Sequence, residues 1–325
     1  MLEPTATPTP THEVRIHAIR DECEDVKSFE LVRVDGAPLG GQSPGAHIDV
    51  HLPPGQVRSY SLIGSSTDGG ASRIAVKRER DGRGASAWLH DAARVGTTLR
   101  VADPINHFPL VEDAPRSVLF AGGIGITPIL SMVRRLSQIG RIWELHYAAT
   151  SAASMPFQEE IGQLAREVGA LVQTYRTDVG TRRMALDALV AEAPADAHLY
   201  CCGPARMIDA FVEAGRSRPA GTVHFERFAA AQQAVKEGGF SLHLARDGRT
   251  LLVPPGQTIL DTLVKAGVNV PSSCGQGVCG TCQVGVLEGL PDHRDDYLTK
   301  TERDSNEVML VCCSGARSPS LTLDL

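Results

Sequence analysis

Residues 117–138 read SVLFAGGIGITPILSMVRRLSQ. A short apolar run gives way to glycines at 122, 123 and 125, and then to apolar residues at helical spacing. Four apolar residues followed at once by a glycine turn and an amphipathic run predict strand, tight turn, helix. Glycines at such a turn let a phosphate-bearing ligand approach the backbone at the helix start, and Pro128 suits a first helical turn. The spacing is not G-x-G-x-x-G, so the turn alone does not identify a dinucleotide site.

The same rhythm continues outward toward the C-terminus. IWELHYAA, ALVQTYR and HLYCCGP read as strands, with FQEEIGQLAREV, MALDALVAEA and ARMIDAFVEAG as helices between and after them. Alternating strand and helix predict a parallel sheet covered on both faces. Tyr200-Cys201-Cys202-Gly203-Pro204 then closes a strand at the same C-terminal edge as the glycine turn, where open sheets of this kind bind ligands. Neighbouring residues of a strand face opposite ways, so Cys201 points into the sheet if Cys202 faces a ligand.

Toward the N-terminus the pattern is different. Residues 14–19, 28–34, 47–52, 57–63 and 73–79 are short β-branched or alternating runs, divided by stretches such as GAPLGGQSPG. With one helix expected at ASAWLHDAA after Gly84, they predict a small antiparallel barrel over residues 13–110. One of its strands ends in Arg58-Ser59-Tyr60-Ser61, and Gly82-Arg83-Gly84-Ala85-Ser86 opens the helix. An arginine can pair with a phosphate and a tyrosine can stack on a flat ring system, so together the two motifs favour a flavin phosphate site. The Thr/Pro-rich start, residues 1–12, reads as a flexible tail.

Residues 229–239, AAAQQAVKEGG, read as a linker between the α/β segment (111–228) and a C-terminal module (240–325). That module carries SLHLARD, a helix TILDTLVKAG, and Cys274, Cys279 and Cys282 at C-x4-C-x2-C spacing. A strand CQVGVLEG, a helix DDYLTKTERD and the strand-like runs VMLVCCS and SLTLDL follow. Thiolates suit zinc or iron–sulfur clusters, and C-x4-C-x2-C followed by one distant cysteine is the plant-type [2Fe–2S] spacing. The fourth ligand is Cys312 or Cys313, of which an extended chain would present only one.

The chain has 325 residues and a net charge of -6. That length predicts two or three domains, and the charge argues against nucleic acid as a partner. No apolar run reaches membrane-span length, and the start lacks a secretory pattern, so a cytoplasmic protein is expected. Its eight cysteines fit a metal site better than a disulfide framework. The histidines show no metal-ligand spacing.

The order R-x-Y-S, G-R-G-x-S, GGIGITP, YCCGP, HFE and a C-terminal plant-type cysteine spacing resembles the phthalate dioxygenase reductase family, the reductase components of two-component Rieske oxygenases. DHRD (292–295), MLVC (309–312) and the terminal LDL extend the resemblance. It implies a ferredoxin-reductase-type barrel binding FMN, an α/β parallel-sheet domain binding NADH, and a β-grasp [2Fe–2S] ferredoxin domain. Arg58, Ser59, Tyr60 and Ser61 would line FMN with Lys77 beside it, and Gly82, Arg83, Gly84 and Ser86 would hold its phosphate. Gly122, Gly123, Gly125, Thr127 and Pro128, with Gly203 and Pro204, would border the nicotinamide and pyrophosphate. Cys202 would approach the nicotinamide, while Glu226 and Phe228 would face the flavin. The resemblance makes Cys312 the fourth cluster ligand, after Cys274, Cys279 and Cys282. This chain reads HYAATSAAS where the family often has an arginine, so the ribose contacts stay open. Asp178 could accept from a 2′-hydroxyl, whereas Arg176, Arg182 and Arg183 could meet a 2′-phosphate.

The implied function is electron transfer from NADH through FMN and the cluster to a terminal Rieske oxygenase acting on an aromatic substrate. Residues 238–325 hold ten acidic and seven basic side chains, a mildly acidic face suited to transient docking. A monomer is expected. The alternatives are a reductase feeding a cytochrome P450 and a cluster-based redox sensor.

Overall fold

The computed structural model describes residues 11–53, 56–65, 70–79, 84–179, 183–228, 239–272 and 275–325. These fall into two compact units, Met1–Glu226 and Arg227–Leu325. Of the expected tail (1–12) and the expected linker (229–239), residues 1–10 and 229–238 lie outside the described residues.

Six antiparallel strands close a barrel: β1 (Thr11–Cys23), β2 (Val26–Arg33), β3 (His47–Leu52), β4 (Gln56–Ser65), β5 (Ser72–Lys77) and, after helix α1 (Ala85–Asp91), β6 (Thr98–Ala102). Their order round the barrel is β1-β2-β5-β4-β3-β6. Alternation supplies the filling, since Val14, Ile16, Phe29, Leu31, Ile48, Val50 and Val101 all turn inward into one apolar cluster. Thr11 and His12, expected in the tail, lie in a strand. They pair with Ala102 and Val101 of β6 and so close the barrel.

The α/β half runs β7 (Ser117–Gly122), α2 (Ile126–Gln138), β8 (Trp143–Ala149), α3 (Gln158–Val168), β9 (Leu171–Arg176), α4 (Leu186–Glu192), β10 (His198–Cys202), α5 (Ala205–Ala214) and β11 (Val223–Glu226). The strands are parallel in the order β11-β10-β7-β8-β9. The chain therefore winds outward from β7 in one direction and returns at β10 on its other side. This is a topological switch point, and it leaves a crevice at the C-terminal ends of those two strands. As expected, Cys201 and Cys202 face opposite ways, into apolar clusters on the two sides of the sheet.

Barrel and sheet share a core. Val26, Ile63 and Phe108 pack in one cluster with Leu119, Ile129 and Met132. At the edge of this contact Arg73 of β5 donates to Glu160 of α3 at 2.7 Å, and the same carboxylate accepts from Arg134 of α2. The Arg73 guanidinium also lies 5.2 Å over the Phe157 ring.

The second unit contains β12 (Phe240–Leu244), β13 (Thr250–Val253), α6 (Ile259–Lys265), β14 (Gln283–Glu288), β15 (Pro291–Asp292), α7 (Lys300–Ser305), β16 (Val308–Leu310), β17 (Gly315–Ala316) and β18 (Ser320–Leu323). Its main sheet has the order β13-β12-β18-β14-β16, with β12 and β18 parallel. Ile259 and Leu263 of α6 join the apolar cluster made with Leu242, Met309 and Leu321. Two sequence expectations change here. The run VMLVCCS is strand only to Leu310; Ser314 N–H donates back to Leu310 O at 3.1 Å, so Val311–Cys313 form a turn. DDYLTKTERD is helical only from Lys300, because Thr299 caps it: Thr299 Oγ1 accepts from Glu302 N, and Glu302 Oε2 accepts from Thr299 N at 2.8 Å.

Thr299→Ala removes this reciprocal cap and is expected to destabilise the second unit by about 1 kcal/mol. Urea unfolding of wild type and variant followed by circular dichroism checks it; an unchanged midpoint would show that the cap carries no weight.

Candidate functional site

At the switch-point crevice the glycine turn meets the β10–α5 turn. A Cβ at Gly125 would overlap the carbonyl of Cys202, and one at Gly122 would lie 2.6 Å from Pro204 Cδ and 2.8 Å from Met207 Sδ. These glycines, with Gly203 across from Gly122, let two chain turns press together. The ligand-approach role read from sequence comes second to that. Gly123, at φ +55, is open, with nothing near its would-be Cβ. The Thr127 hydroxyl donates to Ile124 O at 3.0 Å and so closes the turn, and Pro128 is buried in the first turn of α2.

Cys202 and Glu226 sit side by side as register partners on β10 and β11. Cys202 is fully buried, and burial, with the Glu226 charge adding to it, pushes its thiol well above the usual range. Glu226 Oε2 is enclosed with no hydrogen-bond partner among the described residues, and desolvation raises the carboxyl to about 8. The pair is therefore largely protonated and uncharged at neutral pH.

On β4, Arg58 and Tyr60 share one face and Ser59 and Ser61 the other. Arg58 NH2 donates to Gln56 Oε1 at 3.1 Å, and the Gln56 amide lies beside Gly84, 3.9 Å from its would-be Cβ. Gln56, which the motifs did not single out, thus ties the arginine strand to the turn that opens α1; it stands two residues before Arg58, on the same face. Ser86 Oγ accepts from Glu79 N at 3.0 Å, which folds the same turn onto the end of β5, where Lys77 is exposed. Ser59 donates to Asp49 at 2.6 Å, while Ser61 Oγ is buried with no partner among the described residues. Burial raises the Tyr60 phenol to about 12. On one face of β4, Tyr60 and Arg58, with Gln56 set between the arginine and Gly84, fit a flavin mononucleotide. Gly82 and Arg83 lie outside the described residues.

Asp178 N–H donates to Thr150 O at 2.9 Å, which brings Asp178 to the C-terminal edge of β8 and β9, beside Arg176. Arg183 is exposed, and Arg182 lies outside the described residues. Phe228 belongs to the second unit and is 38% exposed.

In the second unit, Gly275, Gly277 and Gly280 have φ of +64°, +76° and +75° and curl the cysteine loop. Cys274 lies outside the described residues. Pairing of β14 with β16 sets Gln283 opposite Leu310, and Val311 N–H donates to Cys282 O at 3.3 Å. The turn carrying Cys312 therefore adjoins Cys282, and the two are 5% and 2% exposed. Cys313 is less buried, its thiol 3.8 Å from Leu310 O. Among the described residues no three His, Cys, Asp or Glu side chains form a complete metal site. Backbone register and soft thiol donors are what fit this loop to a cluster. Sequence gave DHRD only by resemblance. Here it leads into a brace: buried Asp295 accepts from Leu298 N at 2.8 Å, Asp296 N donates to Gly277 O at 3.0 Å, and the Tyr297 ring fills the space over Gly280.

Residues 119–213 match an oxidoreductase NAD-binding domain and residues 242–317 a 2Fe-2S iron-sulfur cluster binding domain. Phenoxybenzoate dioxygenase subunit beta of Ectopseudomonas oleovorans is 47% identical over 96% of this chain and 97% of its own. The solved structure of phthalate dioxygenase reductase, described as modular for electron transfer from pyridine nucleotides to [2Fe-2S], is 35% identical over 97% of this chain and 98% of its own, with a TM-score of 0.79. This chain belongs to the phthalate dioxygenase reductase family. An intact self-sufficient cytochrome P450 monooxygenase also matches all of this chain with 43% of its own, at 38% identity and a TM-score of 0.76. The reductase is an NAD-linked oxidoreductase whose cofactors are FMN and a [2Fe–2S] cluster.

Two outcomes follow. Cys312→Ser is expected to lose or grossly alter the cluster's absorbance and paramagnetic signal while NADH still reduces the flavin, and Cys313→Ala to keep both; the reverse result would make Cys313 the ligand. The second concerns pH. Because the folded carboxyl of Glu226 is raised from 4.5 to about 8, its contribution is full below 4.5 and is lost as pH rises through 8. Wild type should lose roughly 3 kcal/mol of stability between about pH 6 and pH 9, a loss that Glu226→Gln abolishes. Parallel slopes in urea titrations of the two proteins would refute it.

Proposed function

We propose that this reductase takes a hydride from NADH and delivers single electrons to a terminal Rieske oxygenase or demethylase acting on an aromatic substrate. One observation carries the reading: a single chain joins a barrel-and-sheet unit, whose switch-point crevice holds Cys202 and Glu226, to a unit built round a cysteine loop. When bound, FMN supplies the exchange between two-electron and one-electron chemistry, and the cluster carries one electron at a time.

The chain's own side chains bind, orient and exclude water. Arg58, with Gly82, Arg83, Gly84 and Ser86, holds the FMN phosphate. Tyr60 covers the flavin ring, Ser61 offers its hydroxyl, and Ser59 and Lys77 complete the border. Gly122, Gly123, Gly125, Thr127 and Pro128, with Gly203 and Pro204, form the nicotinamide and pyrophosphate edge. Cys202 meets the nicotinamide, and Glu226, keeping its proton, leaves that floor uncharged. Asp178 accepts from the adenosine 2′-hydroxyl and disfavours a 2′-phosphate. Cys274, Cys279, Cys282 and Cys312 ligate the cluster.

The partner docks transiently through the mildly acidic C-terminal unit of a monomeric, cytoplasmic reductase. Among the described residues no helix is long and apolar enough to cross a membrane. The match to a self-sufficient P450 favours a second reading, in which the acceptor is a cytochrome P450.

Purified protein mixed with candidate Rieske oxygenases and P450s decides between the two. NADH is expected to support oxygenase reduction at least tenfold better than NADPH in kcat/KM. A preference for NADPH would reverse the role of Asp178, and turnover only with a P450 would overturn the partner.

A further inference from the structure

Besides the shared apolar core, a hydrogen-bonded link between the strand that carries Arg58–Ser61 and the turn that carries Gly122–Pro128 runs through one buried hydroxyl. Ser131 stands on α2, one helical turn after Pro128, and is 6% exposed. Its Oγ accepts from the backbone N–H of Gly45 at 2.9 Å and donates to Pro128 O at 2.6 Å. Gly45 is a barrel residue at φ +90, packed so closely on the Phe108 carbonyl that no Cβ fits. The next residue, Ala46, accepts through its carbonyl from Leu62 N–H at 2.8 Å, directly after Ser61 on β4. The segment is gripped from its other side as well, since Asn106 donates to Pro44 O at 3.0 Å. A continuous path thus leads from the end of the flavin strand, through Ala46 and Gly45, to Ser131 and on to the first turn of α2.

We propose that Ser131 is a positioning residue, holding the nicotinamide turn at its working distance from the flavin strand. The inference rests on the site assigned above. Ser131 touches neither proposed cofactor; it fixes the helix that presents one of them. Hydride transfer depends steeply on donor–acceptor distance, and a displacement of about 1 Å can cost about a hundredfold. The fold tolerates the loss of one hydroxyl because the apolar cluster around Ile129, Met132 and Phe108 remains. A shift of geometry is therefore expected, without unfolding.

The test compares wild type, Ser131→Ala, Ser131→Thr and Ser131→Cys, all as flavin- and cluster-loaded proteins. The readouts are single-turnover flavin reduction by NADH, titration with the non-reducing analogue 1,4,5,6-tetrahydro-NAD, and the long-wavelength charge-transfer absorbance that the analogue induces. Ser131→Ala should reduce its flavin about ten to a hundredfold more slowly. Its analogue affinity should stay within about twofold, and its charge-transfer band should weaken. Ser131→Thr, which keeps the hydroxyl, should restore rate and band. If Ser131→Ala does not fold, Ser131→Cys, similar in volume and a weaker acceptor, should show the same changes in smaller degree. A wild-type rate and band in the folded Ala or Cys variant would overturn the proposal, as would lost affinity with an unchanged limiting rate. Gly125→Ala separates the two levels of inference. If that variant binds the analogue like wild type, the site assignment has failed; if it loses binding while Ser131→Ala behaves as wild type, only the role of Ser131 has.

Discussion

The approach of Gly125 to the Cys202 carbonyl leaves no room for a side chain, and much of the first unit follows from it. The two turns come that close only because β7 and β10 are neighbours, which requires the chain to reverse its winding between β9 and β10. The reversal exposes the strand ends that a ligand can reach and sets Cys202 beside Glu226. It also sets the course of the chain entering the sheet, since the buried Tyr200 hydroxyl accepts from Val111 N–H at 3.0 Å. One contact therefore links strand order to the position of the two buried acids.

Those acids give the crevice its electrostatic character. A thiol and a carboxyl that burial holds in their protonated forms leave the floor uncharged near neutral pH. On the proposed reading, the neutral dihydronicotinamide enters a pocket that does not bind its positively charged product by ion pairing, which favours product release after hydride transfer. Arg73, Glu160 and Arg134, by contrast, pair at the barrel–sheet margin, where they orient elements.

The sequence made the alternation of strand and helix legible because it is local: SVLF, the glycines and the amphipathic α2 are read within one window. What escaped depends on distant partners. Thr11 and His12 look like tail until β6 supplies the opposite edge of the barrel. VMLVCCS alternates like a strand but turns at Val311, where that residue's N–H bonds to Cys282 O and Ser314 returns to Leu310. The argument from opposite faces therefore loses its footing at Cys312 and Cys313, and the juxtaposition with Cys282 comes from the β14–β16 register. Arg58 and the Gly84 turn were legible as separate motifs, but Gln56, which joins them, carried no motif signal beyond its i−2 spacing.

The glycines show why such motifs are legible and yet easily misread. Gly125 is needed by the Cys202 carbonyl, Gly45 by the Phe108 carbonyl and Gly280 by the Tyr297 ring. All three stand at or beside a segment assigned to a cofactor, and in each the demand for glycine is met by another part of the same chain. A glycine fingerprint therefore records first that two turns must interlock, and a ligand then uses the surface that interlocking creates. Gly123 is the exception, with positive φ and open space beyond it. Within GGIGITP, among the described residues, it is the glycine whose missing side chain leaves open space, and on the proposed reading a bound dinucleotide has its freest access to the backbone there.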